Sequence, residues 1–417
     1  MSKLMFDRAT RTLLGLVLVL GGGLTAVSGC GEDEDATEET GEETAGETTA
    51  ETPDMPEAPE APPATPAPTV ELDEAQTALA AEIAAAVNNA RFARDVTNKD
   101  NALIFVYLGA TSEDVNVQAA ALRAMVATHT YSERFVERYA LVTPEYAQVV
   151  LMHLGSDNGV VQSAAIEAGK TCIQGDTPNT EVTGRLVDLA TNHASPAGRY
   201  AAMNTLWHSS GIRTSPEQIA PYVAALGSSE AYVVSGALFR LTSFGRNAPE
   251  QPALRATLQG LLTHADPGVR GRAAQVLAAV VGIRDDDRAT IAASIMPLLG
   301  DSNAFTKSAA ANALASLDHR AAIHGIVGLL DDLTSNTYDI RGWTALDGSS
   351  GRIHHDGSAW SRVADAALNS LRTFSGRVGE RFQYNINHQN IEADLATSAA
   401  TARTWYASVS AEIPAAE

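Results

Sequence analysis

From about residue 99 the chain alternates apolar stretches with short polar turns, and superposing the stretches exposes a repeating set of columns. With Val117, Val161, Gly198, Val233, Val269, Thr306 and Val363 taken as position zero, every unit has alanine four residues later: Ala121, Ala165, Ala202, Ala237, Ala273, Ala310 and Ala367. At plus five stand Leu122, Ile166, Met203, Leu238, Ala274, Ala311 and Leu368, and at plus eight Met125, Gly169, Leu206, Leu241, Leu277, Leu314 and Leu371. These positions share one face of an α-helix, so each stretch is amphipathic, with a small residue at the centre of its stripe where another helix can approach closely. Four units also carry a leucine seven residues before position zero (Leu154, Leu226, Leu262, Leu299), three of them followed by a glycine that marks the end of a preceding helix. The pattern predicts an all-α chain of about seven helix pairs.

Successive position zeros are 44, 37, 35, 36, 37 and 57 residues apart. A two-helix unit of this length, with the run Leu262 to Ala274 carrying Asp266, Pro267, Val269 and Arg270, resembles the HEAT repeat, and the resemblance extends over roughly residues 99–375. It implies an α-solenoid in which an Asp and an Arg of neighbouring repeats pair into a ladder. Only the unit at Val269 keeps the full motif, so the ladder is expected to be mostly missing. It also implies that the second helices line the inner side of the array, where the plus-six column, which includes Arg123, Asn204, Phe239, Gln275 and Asn312, would meet a partner.

Two spacings are long. The first holds Tyr131 to Leu141, read as an extended connection with a short helix of its own. The second holds an insertion, residues 333–358, between a first helix over Ala321 to Asp332 and a second over about Ala359 to Thr373. The insertion is rich in turn formers and can form a β-hairpin. It brings Tyr338 and Trp343, with Trp360 just beyond it. Exposed aromatics of this kind suit partner contact, and the alternative is that they pack inward and fasten the hairpin. Asp339, His354, His355 and Asp356 form its one dense group of potential ligands, without zinc-site spacing, and read as a polar hairpin tip.

The ends differ in character. Lys3, Arg8 and Arg11 precede an apolar stretch from Leu13 to Leu24, too short for a membrane span and suited to a signal peptide over residues 1–29. The following Val27-Ser28-Gly29-Cys30 resembles the lipobox of bacterial lipoproteins. That resemblance implies lipid on Cys30 and anchoring in the envelope, with Gly31 favouring the outer membrane. Residues 30–69 read as an acidic and proline-rich tether with too little apolar surface to fold. Residues 70–98 read as an N-terminal capping helix over Glu71 to Asn89, and residues 376–417 as a C-terminal cap containing an aromatic helix.

Charge changes the picture once it is partitioned. Of a net charge of −21, residues 1–30 contribute +2, residues 31–70 contribute −13 and the remainder −10. An acidic body argues against nucleic acid as partner, since phosphate contacts need clustered Lys and Arg. Aromatics are only 6% of the chain, so its core must rest on Ala, Leu and Val. Cys172 reads as a core residue, Gly300-Asp301-Ser302-Asn303 as a turn between helices and His208 as a packing residue. No cofactor is expected. The reading that follows is a membrane-anchored scaffold for an unidentified protein partner. An envelope assembly component is the alternative, and a metal-binding or enzymatic protein centred on the insertion a further one.

Overall fold

The computed structural model describes residues 65–86, 101–130, 142–174, 178–207, 216–244, 252–281, 288–354, 361–378, 381–383 and 391–415. Tyr131 to Leu141, expected to hold a short helix, lies outside them. No helix among the described residues is long and apolar enough to cross a membrane.

The described helices are α1 (Glu74–Ala86) followed by seven pairs and a terminal helix. The first three pairs are α2 (Ala102–Thr111) with α3 (Val115–Thr130), α4 (Pro144–Leu154) with α5 (Gly159–Cys172), and α6 (Thr180–Asn192) with α7 (Pro196–Leu206). Next come α8 (Pro216–Ala225) with α9 (Ala231–Phe244), and α10 (Pro252–Leu261) with α11 (Pro267–Val276), which runs on as a π turn to Val281. The last two pairs are α12 (Arg288–Ile295, then 3₁₀ to Gly300) with α13 (Ala304–Ser316), and α14 (Ala322–Val327, then 3₁₀ to Asp331) with α15 (Val363–Val378); α16 (Ile391–Val409) follows. Each second helix packs on the second helix of the next pair, from α3 through α15, which is the arrangement of an all-α solenoid.

Local chemistry sets the helix starts. Asp73 and Gln76 exchange side-chain and backbone hydrogen bonds at 2.7 and 3.0 Å, a capping box ahead of α1. Thr143, Asn158, Asn179, Asp266 and Asn303 each accept a backbone N–H of the helix they precede, and proline fills the first position of α4, α7 and α11. The alanine column is buried throughout, at most 3% exposed in any unit, with the position-zero and plus-eight residues around it. Among the core residues Cys172 is buried and its thiol is pushed up to about 12 by burial, which makes it inert packing.

The ladder expected to be mostly missing is present in the C-terminal units. Arg270 makes a bidentate pair with Asp301 at 2.8 and 3.0 Å, and Lys307 pairs with Asp332 one unit further on. The acid comes from the turn of the next repeat, so Asp301 serves in place of Asp266, which is occupied capping α11. Arg199, at the same column, instead donates to the carbonyls of His193 and Ala194.

At the N-terminal end, part of the segment read as tether is seated. Pro68 is buried, Val70 and Leu72 pack against the core, and Gln148 of α4 donates to the Pro66 carbonyl at 2.8 Å. At the other end α16 packs on α15, Trp405 lies 5.7 Å from Phe382, and Tyr406 shares a 2.7 Å hydrogen bond with His324 of α14.

The insertion forms an antiparallel hairpin, β1 (Asp339–Thr344) with β2 (Ser350–His354), pairing Asp339 with His354 and Thr344 with Ser350. A register shift falls between Arg341 and Trp343, a bulge of the kind that re-aims a side chain. The tip is Ala345 to Ser349, closed by backbone bonds at 2.8 and 3.0 Å and turning through Gly348 at φ +81°, a left-handed conformation that glycine adopts without strain. Asp339 and His354 therefore sit at the base of the hairpin, away from the tip where the sequence had suggested a polar cluster. Below them Asn336 N donates to Ser361 O and Val363 N to Thr334 O, which holds residues 361–362 extended. For that reason α15 starts at Val363, four residues later than expected.

Candidate functional site

The hairpin does not project from the solenoid. It lies back along the N-terminal ends of the second helices. Its first anchor is Tyr338, whose hydroxyl donates to Asp266 Oδ2 at 2.7 Å and whose ring stacks on Phe305, 6.0 Å away. Burial and the neighbouring Asp266 carboxylate raise the phenol well above its ordinary range, so Tyr338 stays a donor. The second anchor is Trp343, half-buried, stacked on Tyr232 at 5.0 Å and edge-on to Tyr200 at 5.1 Å, with Tyr200 and Tyr232 edge-on to each other. The indole Nε1 is buried without an acceptor. The third anchor is the tip. The Leu346 carbonyl lies where a Cβ on Gly159 would stand, and Asp347 faces Arg123 at 3.5 Å. Hydrogen bonds from Ser349 and the Arg123 charge hold the Asp347 carboxyl below its ordinary value.

Glycines make this approach possible. A Cβ at Gly268 would come within 2.5 Å of the Tyr338 ring, and one at Gly159 within 2.2 Å of a backbone oxygen. Both stand in the first turn of a second helix, where neither turn geometry nor positive φ asks for glycine. The hairpin thus joins units five and six (Asp266, Phe305), three and four (Tyr200, Tyr232), and one and two (Arg123, Gly159).

Beside the hairpin, further along the second helices, lies a strip built from the plus-six column. Asn204 accepts from Arg240 Nη2 at 3.1 Å, Gln275 accepts from Arg272 Nη1 at 2.9 Å, and Asn312 accepts from Ser370 at 3.2 Å. Phe239 is 41% exposed, with the Arg240 guanidinium 5.1 Å from its centroid and that of Arg272 5.0 Å away. Arg240 also lies 5.0 Å over Trp207, and Arg272 5.3 Å over Phe305, so cations and rings alternate from unit three to unit six. Burial lowers the Arg240 guanidinium from its ordinary value, and the phenols of Tyr222 and Tyr200 partly oppose that.

Of the residues singled out in the sequence, Arg123, Tyr338 and Trp343 meet on the solenoid face through the hairpin. Asn204, Phe239 and Gln275 form the neighbouring strip, and Asn312 continues it. Cys30 and Trp360 lie outside the described residues, as do His208, His355 and Asp356. Among the described residues no group of three or more His, Cys, Asp and Glu could hold a metal ion. The residues that sequence reasoning missed are Arg240 and Arg272, at plus seven and plus three, together with the seats Tyr200, Tyr232 and Asp266. Extending the plus-six face back by one helical turn reaches Arg272, whereas Arg240, the residue next to that column, is turned about 100° from it.

A family profile described as HEAT repeats matches residues 254–343, from α10 into β1. The chain carries HEAT-like helical repeats arranged as an α-solenoid. Among solved structures it is similar to the karyopherin Kap121p bound to the extreme C-terminus of the protein phosphatase Cdc14p, with a TM-score of 0.50 and 12% identity over 80% of this chain and 37% of that one. A multiply substituted mutant of Kap121p gives a TM-score of 0.49 and 11% identity over 78% and 34%. The chain spans about a third of the length of these proteins, and at such identity the likeness is one of fold. No curated protein matches the sequence.

Proposed function

We propose that the chain is a protein-binding scaffold of the bacterial envelope, anchored by lipid on Cys30 and presenting the second-helix face of its solenoid to a polypeptide. The observation that carries this reading is the strip itself. Side chains from successive repeats are aligned along one face and hold one another at fixed spacing, with an exposed phenylalanine between two arginines. Such a surface binds an extended partner, because each repeat adds contacts in register with the next. That a solenoid of this fold, Kap121p, is bound to the extreme C-terminus of Cdc14p supports it. The anchor rests on Val27-Ser28-Gly29-Cys30 behind its basic and apolar leader.

The test has two arms. Palmitate labelling in the native host should mark the wild-type chain and leave Cys30→Ser unlabelled, and label on the variant would remove the anchor from the reading. A photo-crosslinking residue placed at Phe239 should give discrete protein adducts in intact cells. If no adduct forms at Phe239 or at Asn312, the scaffold reading is lost.

A further inference from the structure

Arg240 is a cation in an unusual position. Its Nη2 bonds Asn204 at 3.1 Å, its plane is flanked by the rings of Trp207 and Phe239, and its Nε is buried without an acceptor. Among the described residues the titratable groups that act on it are the phenols Tyr222 and Tyr200, with no carboxylate. Two other half-buried cations, Arg270 and Lys307, are matched by Asp301 and Asp332. A guanidinium removed from water and left without a counter-ion is costly, and the rings offset only part of that cost.

On these grounds we propose that the strip at Arg240 and Phe239 takes an acidic segment of the partner polypeptide, with a side-chain carboxylate against Arg240 and a neighbouring apolar side chain on the exposed Phe239 ring. The assignment rests on the scaffold reading and names its partner chemistry. Four features favour this occupant. Arg240 supplies the opposite charge without a competing acid among the described residues, and its planar fork suits a carboxylate. Asn204 and Gln275, already held by Arg240 and Arg272, place carboxamides on either side of the Phe239 ring for the peptide backbone. Phe239 is one of only four large hydrophobic residues exposed among the described residues, and the one flanked by two cations. Beyond residue 70 the chain still carries a net charge of −10, so a basic partner would find acids elsewhere on it, whereas an acidic one is drawn to the cations of this strip.

The experiment uses the full chain and three C-terminally amidated, fluorescein-labelled peptides of twelve residues, identical except that Glu alternates with Leu in the first, Gln replaces Glu in the second and Lys in the third. Fluorescence anisotropy should show the Glu peptide bound at least tenfold more tightly than the Gln peptide, with the Lys peptide weaker still. In Arg240→Gln the preference for Glu over Gln should vanish. Phe239→Ala, at an exposed position where folding is not at stake, should weaken the Glu peptide severalfold while keeping the preference. Equal binding of Glu and Gln peptides, tighter binding of the Lys peptide, or no binding of any of them overturns the proposal. Partner adducts at Phe239 in cells that persist unchanged in Arg240→Gln would overturn it as well while leaving the scaffold reading intact. Helical circular dichroism accompanies each variant, and if Arg240→Gln loses its helicity, Arg240→Lys carries the charge arm, with a loss of at least threefold expected and no loss overturning the proposal.

Discussion

His153 shows how a single side chain can report on the fold. It lies on α4, 5% exposed, and its Nε2 donates to the carbonyl of Gly109 on α2 at 2.7 Å, tying two first helices together. Burial lowers its folded value below the ordinary imidazole value of about 6.5. Protonation therefore favours the unfolded chain. The stabilisation from neutral His153 is complete above about pH 6.5 and is lost as pH falls through the lower folded value. Urea midpoints measured at pH 7.5 and 5.5 should fall with pH in the wild type. His153→Gln keeps a donor for Gly109, so it should cost about 1 kcal/mol at pH 7.5 and give a shallower decline; an unchanged slope would show that other groups carry the acid sensitivity. At this scale the sequence was informative where periodicity decides. The alanine at plus four repeats in every unit, and all seven are buried. Arg240 stands one residue beyond the plus-six column, and its burial depends on Trp207 and Phe239, which no helical wheel places against it.

The hairpin is the element whose sequence and structure diverge most. Its strands and tip were legible as a 26-residue insertion rich in turn formers, and Gly348 marks the turn. Its docking was not legible, because Tyr338, Trp343 and Asp347 find their partners 72, 111–143 and 224 residues away. The one trace was Gly159 and Gly268, glycines in helices that gain nothing from them locally. This leads to a test. Gly159→Ala would place a Cβ 2.2 Å from the Leu346 backbone oxygen, which cannot rotate away, and at the first position of α5 the helix gains little from alanine. We expect a lower melting temperature than that of the wild type, with faster amide exchange over Ala345 to Ser349. Unchanged exchange there would mean that the tip is held from elsewhere.

For the solenoid as a whole, the hairpin alters how the repeats depend on one another. In an array of helix pairs each unit is stabilised by its immediate neighbours, and its ends can open independently. Here units one to four are also joined to a segment that leaves the array at unit seven. Replacing Thr337 to Gly357 with a short Gly/Ser turn removes that link and neither helix of the last pair. The wild type should unfold in urea in a single steep transition, and the shortened chain in a broader one of lower slope or in two steps. Equal slopes would show that neighbour contacts alone carry the cooperativity.

The same link imposes an order in time. Arg123 and the tip residue that meets it, Asp347, are 224 residues apart, so at roughly 5–20 residues per second synthesis leaves some 10–45 s between them. During every round of production the first four repeats can form their helices while Tyr200 and Tyr232 still lack the ring that covers them. The nascent chain therefore passes through a stage with an aromatic seat open, when a chaperone can hold it or a second molecule's hairpin can enter in place of its own.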